Sequence, residues 1–248
     1  RHTPNIDPFL SERVEVVRGA SSLLYGSDAL GGAVNVQPMP VPFAPAGESV
    51  FSGQALTRYA SNNDQWDLGL KAETATDRFG LVAGVMDRSG GDITTPDVDT
   101  AFESGDSDDP AYTGELDFTD FDQTNAVLGG GMRGDWGDVQ IHYTRWRNEH
   151  NFLLPPPAGN EPPEVEEGVG QALEDDRLRL AGTFPLASDW ELAPKLMWQN
   201  NRRRSNGGAN PRSALFDGAI DVEFDQYTAR LEAEHGMLGV FDSGTLGL

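Results

Sequence analysis

The sequence predicts an all-β chain: a partial transmembrane antiparallel β-barrel of about nine strands, preceded by a short N-terminal unit. Three observations predict it. From about residue 48 onward, apolar and polar residues alternate with period two, the pattern of a strand with one polar face. Tight turns and longer connections also alternate, which is the habit of an outer-membrane barrel. Finally, no run in these 248 residues, 38% of them apolar, approaches the ~18 consecutive apolar positions of a membrane helix.

The strands follow in order near 48–60, 65–77, 79–90, 122–134, 136–148, 176–187, 189–202, 222–235 and 238–248. In the second, Trp66, Leu68, Leu70 and Ala72 share one parity, and Asp67, Gly69, Lys71 and Glu73 the other. Leu178, Leu180 and Phe184 oppose Arg177, Arg179 and Thr183, and Trp190, Leu192, Leu196 and Trp198 oppose Glu191, Lys195 and Gln199. Pro194 interrupts this seventh strand and requires a bulge or a locally unpaired donor. Gly129-Gly130-Gly131 lies inside the fourth strand without a P-loop lysine, so it serves packing or a bulge and cradles no phosphate.

Tight turns are expected at Asp77-Arg78, Gly134–Gly137, Ala187–Asp189 and near Gly236. Between them fall a short connection at Ser61–Asp64 and three long ones at 92–121, 149–175 and 203–222. The chain has 40 acidic and 18 basic residues, and its net charge of −22 is confined to these long stretches. Eleven acids and no Lys or Arg lie in 92–122, eight acids and no base in 149–176, and four acids with Arg212 alone in 205–226. Proline, glycine and asparagine interleave them, so they read as solvated loops. Asp106-Ser107-Asp108-Asp109 lacks the glycine and distal Glu of a helix–loop–helix calcium site. No metal site is expected.

All five Trp lie in or beside strands, as aromatic girdles at two membrane interfaces require. Trp190 and Trp198 share a parity, and at ~3.3 Å per residue and ~40° tilt they stand roughly 20 Å apart along the membrane normal, close to the ~25 Å apolar band. Trp136 and Trp146 share the opposite parity to Val139 and Ile141, so either a bulge shifts the register or they face the lumen.

The first forty residues are the most specific stretch. Ser11-Glu12-Arg13-Val14-Glu15-Val16-Val17-Arg18-Gly19 leads into Ala20-Ser21-Ser22-Leu23-Leu24-Tyr25-Gly26-Ser27 and then Asp28-Ala29-Leu30-Gly31-Gly32-Ala33-Val34-Asn35-Val36. This reads as a strand, a turn or two of helix, a glycine hinge and a second strand, with Gly19, Gly26, Gly31 and Gly32 permitting positive φ or close approach. It resembles the end of the plug domain of TonB-dependent outer-membrane receptors, over about residues 10–37. Ala20 stands where the family has proline, and Gln37-Pro38-Met39-Pro40 replaces a basic exit.

The resemblance implies residues 1–43 as the C-terminal part of a plug and 48–248 as the N-terminal part of a 22-stranded barrel in a Gram-negative outer membrane, with the long acidic loops extracellular. It implies energised uptake of a scarce bulky solute (ferric siderophore, haem, cobalamin or oligosaccharide), with work supplied by a TonB-type inner-membrane protein. The motif positions are Glu15, Arg18, Gly19, Tyr25, Gly26, Gly31, Gly32 and Asn35; in the family, plug Glu and Arg pair with charges on the inner barrel wall, which maps onto Glu15 and Arg18. Nine strands against 22, and an opening on Arg1, make the chain an expected internal piece of a longer protein. A passive porin-like barrel, or an adhesive one whose acidic loops hold cations, is the alternative.

Other classes fare poorly. The absence of cysteine excludes a disulfide scaffold, a thiolate metal centre and a cysteine nucleophile. The net charge argues against nucleic acid, whose binding depends on cationic contacts to phosphate. The four histidines form no HExxH pair, no serine sits in a Gly-x-Ser-x-Gly elbow, and neither enzyme chemistry nor a cofactor is expected. His142, at a lumen parity, reads as a wet polar residue. Arg202-Arg203-Arg204, at the outer end of the seventh strand, is a candidate for meeting an anionic solute or lipopolysaccharide phosphates, or else a solvated rim.

Overall fold

The structure, a computed structural model, describes residues 7–19, 31–98, 112–116, 119–152, 169–186, 189–206, 220–236 and 243–247. A single 3-10 turn, Pro8–Leu10, precedes strands β1 (Ser11–Arg18), β2 (Gly32–Pro38), β3 (Ser49–Ala60), β4 (Gln65–Thr76), β5 (Phe79–Gly90), β6 (Ile93–Val98), β7 (Tyr112–Leu116), β8 (Phe121–Gly134), β9 (Gly137–Phe152), β10 (Val169–Leu186), β11 (Trp190–Asn206), β12 (Asp221–His235) and β13 (Gly244–Gly247). Nine of them, β3–β5 and β8–β13, form one antiparallel sheet in sequence order. β1 pairs only with β2, and β6 only with β7. The fold is all-β, as the alternation predicts.

A meander in sequence order fixes sidedness. Successive strands run in opposite directions, so the strand ends Ala60/Gln65, Gly90/Phe121, Phe152/Val169 and Asn206/Asp221 lie at one end of the sheet and Thr76/Phe79, Gly134/Gly137, Leu186/Trp190 and His235/Gly244 at the other. The tight end is built by short-range chemistry. The Thr76 hydroxyl accepts from Phe79 N at 3.0 Å, and Gly137 closes the β8–β9 turn at φ +118°, where a side chain would be strained.

The two faces of the sheet differ sharply. One is covered: Val82, Met86 and Val127 are buried on it. The other is open and apolar, with Leu70 at 61% exposure, Leu81 at 57% and Leu128 at 59%. A continuous apolar face of this kind is untenable in water and suits lipid. Aromatic residues mark both ends of this band. Tyr59 and Trp66 stack at 5.0 Å toward the long-connection end, and Trp136 with Phe184 at 6.0 Å and Trp190 with His235 at 5.1 Å toward the tight end.

Several local expectations resolve. The pairs Gly182–Pro194 and Thr183–Ala193 drop out of the β10–β11 ladder while the register on either side is unchanged. Pro194 therefore sits in a gap of this ladder with no bulge, while staying in register with Leu231 on β12. The β8–β9 register is also unshifted, so Trp146, 5% exposed, faces the covered side, and Trp136 belongs to the turn. Gly129 and Gly131 serve packing: a Cβ on Gly129 would come within 2.8 Å of the Val82 side chain.

Two expectations need correction. The stretch 92–121 read as loop, yet it contains the hairpin β6–β7, whose base is clamped by the Asp92 carboxylate accepting from Thr119 N at 2.8 Å and Asp120 N at 3.0 Å. The strands also run further toward the long-connection end than the acids suggested, with β9 reaching Phe152, β10 starting at Val169 and β11 reaching Asn206. Their apolar alternation gives way there to alternating charge, which hydropathy patterns miss.

Candidate functional site

The candidate site is the seat of the N-terminal unit on the covered face of the sheet. It is built by the two segments flanking the β1–β2 hairpin, Asp7–Leu10 and Met39–Ala44. Asp7 precedes Pro8, the sequence chemistry of a helical-turn cap, and its Oδ1 accepts from Phe9 N at 2.8 Å. That turn aims Leu10, fully buried, into a cluster with Met39, Val41, Val82, Met86 and Val127. Wall glycines make room. A Cβ on Gly84 would lie 2.6 Å from the Leu10 side chain, and one on Gly80 would lie 1.9 Å from the Pro42 carbonyl oxygen.

The side-chain contacts have one sense, wall cations and donors meeting acceptors of the N-terminal unit, while in the reverse sense the Ala44 amide donates to the Thr76 carbonyl at 3.0 Å. Arg88 on β5 pairs with the buried Asp7 carboxylate at 2.9 Å and reaches Asp67 at 3.9 Å. Asp67, itself 1% exposed, is also paired with Arg58 and accepts from Gln65 at 2.6 Å. Four alternating charges, Asp7–Arg88–Asp67–Arg58, thus neutralise one another where an unpaired carboxylate would be costly. Lys71 donates to the Phe9 carbonyl at 3.1 Å while its ammonium stands 4.8 Å from the Phe9 ring. Arg133 donates to the Ala44 carbonyl at 2.6 Å and stacks over Phe43 at 4.8 Å. His142 Nε2 lies 3.1 Å from the Met39 carbonyl. It is 7% exposed, so it is a buried contact and not the wet lumen residue that parity suggested.

The motif positions are distributed differently. Glu15 pairs with Arg13 at 2.9 Å and accepts from Asn35 at 3.1 Å and Gln37 at 3.4 Å. Those partners all belong to the hairpin, and among the described residues the carboxylate that pairs with the wall is Asp7. Among the described residues Glu15 thus meets no charge of the wall, whose nine strands are part of the expected 22, and β1 pairs with β2. Arg18 is exposed at the end of β1. Gly19 and Gly32 adopt φ +94° and +142°, and a Cβ on Gly32 would meet the Val17 carbonyl at 2.4 Å. Gly31 precedes β2 with open space around it. Tyr25 and Gly26 lie outside the described residues.

Toward the long-connection end the covered face is polar. Asp175 accepts from Gln199 at 2.6 Å and Asn201 at 3.1 Å and pairs with Arg177 at 2.7 Å. The Arg202–Arg204 triplet is split by strand alternation. Arg203 takes the covered side with Asn201, while Arg202 and Arg204 take the open side, where they meet Asp221 at 3.4 Å and Glu174 at 3.1 Å.

The wall seat could not be found by motif. Asp7-Pro8 was a visible cap signal, and the parity of Arg88 and Lys71 assigns them a face, but nothing local joins residues that contact across 62 positions, as Lys71 and Phe9 do.

A strand wall, apolar on its open face and carrying a seated N-terminal unit on its covered face, has the make-up of part of a plugged β-barrel. Residues 1–33 match the TonB-dependent Receptor Plug Domain family. Among curated proteins, the haemin receptor of Yersinia enterocolitica is 35% identical over 103 residues, 42% of this chain and 12% of that receptor. The haemin receptor of Yersinia pestis is 34% identical over 93 residues, 36% of this chain and 13% of its own. The chain thus spans about an eighth of the length of these relatives. The solved copper transporter OprC aligns over 95% of this chain and 41% of its own, at 14% identity and a TM-score of 0.49. Over residues 1–33 the chain is thus similar to the plug domain of the TonB-dependent receptors, a family of outer-membrane proteins of Gram-negative bacteria.

Proposed function

We propose that residues 1–43 are the end of a plug and 48–248 the first part of the barrel wall of a receptor for energised uptake of a scarce bulky solute. The long acidic connections face the exterior, and a TonB-type inner-membrane protein supplies the work. The observation that carries this reading is the seat: Asp7–Leu10 and Met39–Ala44 are held on the covered face by ion pairs and buried apolar contacts. A plug fixed in this way blocks diffusion, so passage requires force on it. The outer membrane has no ATP, which puts the source of that force in the inner membrane. Among ferric siderophores, haem, cobalamin and oligosaccharides, the names of the Yersinia relatives favour haem.

The test measures haem binding and haem accumulation in cells expressing the full-length protein, with and without a protonophore. Binding is expected to persist while accumulation stops. Accumulation that continues unchanged after uncoupling overturns the energised reading in favour of a passive channel. In the same assay Arg18→Ala is expected to reduce accumulation more than binding.

A further inference from the structure

The long-connection end of the sheet carries a hydrogen-bonded rim that joins stretches far apart in sequence. It starts from a stiff turn. Between β3 and β4, Asp64 holds φ +48° and accepts from the Tyr59 hydroxyl at 2.6 Å, while the Tyr59 ring stacks on Trp66. That turn offers two carbonyls to the chain leaving β5. Asn63 O accepts from Gly91 N, and Asn62 O from Thr94 N, both at 2.8 Å. Gly90 allows this approach, since a Cβ there would lie 2.6 Å from the Asn63 side chain and 2.9 Å from the Phe121 ring.

Asp92 and Thr119 then lock the two legs of the β6–β7 hairpin together. Asp92 Oδ1 accepts from Thr119 N at 2.8 Å, Asp120 N at 3.0 Å and the Thr119 hydroxyl at 3.5 Å. The same hydroxyl accepts from Ile93 N at 2.7 Å. Asp120 carries the rim on to β9, where its carboxylate accepts from the Asn151 amide at 2.6 Å. Asp92 opens the stretch with eleven acids and no base, yet its carboxylate is engaged as a backbone clamp. A two-stranded hairpin outside a larger sheet is marginal by itself. A free connection that orders on binding gives up its conformational entropy at that moment and weakens the complex. A hairpin rooted at both legs has given it up already, on folding.

We propose that Asp92 is a positioning residue: by accepting these donors it roots β6–β7 in the rim as a preordered arm, so that solute capture requires no ordering of this connection. The role belongs to its acceptor oxygen and not to its charge. The proposal rests on the receptor reading above, in which this end of the sheet meets the solute.

The test uses the full-length receptor purified from outer membranes, with haemin as the added probe. Hydrogen exchange of the amides in 93–98 and 112–116 is followed by mass spectrometry, and haemin affinity is titrated in parallel. In the unaltered protein these amides should exchange equally with and without haemin. Asp92→Ala is expected to quicken them about tenfold and to weaken haemin binding about tenfold, with added haemin slowing the exchange again. Asp92→Asn keeps an acceptor oxygen and should stay within about threefold of the unaltered protein in both measures. Heat-dependent gel mobility reports folding. Should Asp92→Ala misfold, Thr119→Val is expected to reproduce its effects, and Thr119→Ser to behave like the unaltered protein. The proposal is overturned by unchanged hairpin exchange in the folded Ala and Val variants, by a loosened hairpin with unchanged haemin affinity, or by an equal loss in Asp92→Asn. Slowing of the hairpin by haemin in the unaltered protein overturns it as well. Failure of the unaltered receptor to bind haemin would instead overturn the haem reading beneath it, while hairpin exchange in the variants still decides whether Asp92 roots the arm.

Discussion

The hairpin β1–β2 and the two segments that flank it are neighbours in sequence and opposites in environment. The hairpin carries the recognisable motif, yet Val14, Val16 and Val34 are 46%, 65% and 57% exposed, and among the described residues Glu15 bonds within the hairpin. The flanks carry no motif, yet Leu10 and Asp7 are 0% and 2% exposed and attach the unit to the wall. The difference teaches that the legible part of this N-terminal unit is its internal geometry, while its attachment depends on ordinary residues placed by long-range folding.

That contrast can be broken most sharply at Arg88. Arg88→Met leaves Asp7 and Asp67 buried with less compensation, and a loss of about 3–5 kcal/mol is expected, read by denaturant unfolding of the full-length receptor. Adding Asp7→Asn should recover part of the loss, because it removes one of the stranded charges. If Arg88→Met unfolds like the unaltered protein, the charge chain holds nothing.

Leu10→Ala should cost about 2–5 kcal/mol, since its pocket is lined from both the N-terminal unit and the wall and collapses poorly. Limited proteolysis should cut within residues 7–44 more readily in this variant, while the sheet stays resistant. Equal resistance of both regions would mean that the flanks do not anchor the unit.

Within the hairpin, effects should be smaller and local. Gly32→Ala imposes a side chain at φ +142° and is expected to cost about 1–3 kcal/mol. Hydrogen exchange should quicken in β1 and β2 while the amides of β4 and β5 stay protected. Glu15→Gln, acting on a part-exposed carboxylate among hairpin partners, should change stability by less than about 1 kcal/mol. A loss as large as that of Arg88→Met would reverse the comparison.

The wall was legible because lipid on one side and a filled interior on the other impose alternation on every strand, as Leu68, Leu70 and Ala72 against Asp67, Gly69 and Lys71 illustrate. Legibility ended where that constraint ends. Past the aromatic band, Glu174 and Asp176 alternate with buried Asp175, so the strand continues in charge alone and reads as a loop. Pro194 was readable as a defect, but only the ladder told a gap from a bulge. The seat was unreadable because Ala44 and Arg133 meet across 89 positions, a distance at which a single sequence holds no signal.

The meander brings the strand ends Gly90/Phe121, Phe152/Val169 and Asn206/Asp221 to one end of the sheet, and the chain's net charge of −22 resides in the stretches of sequence between and beside them. Like-charged groups gathered on one rim set up a potential that screening confines to about 8 Å at physiological ionic strength. Capture is therefore a kinetic problem before it is an affinity problem. An anionic solute must cross a repulsive shell, so its association rate should climb as salt is added, whereas a cationic complex should arrive fastest in dilute medium. On the proposed reading, such a rim would bias which molecules reach the plug, before any pocket had the chance to select among them.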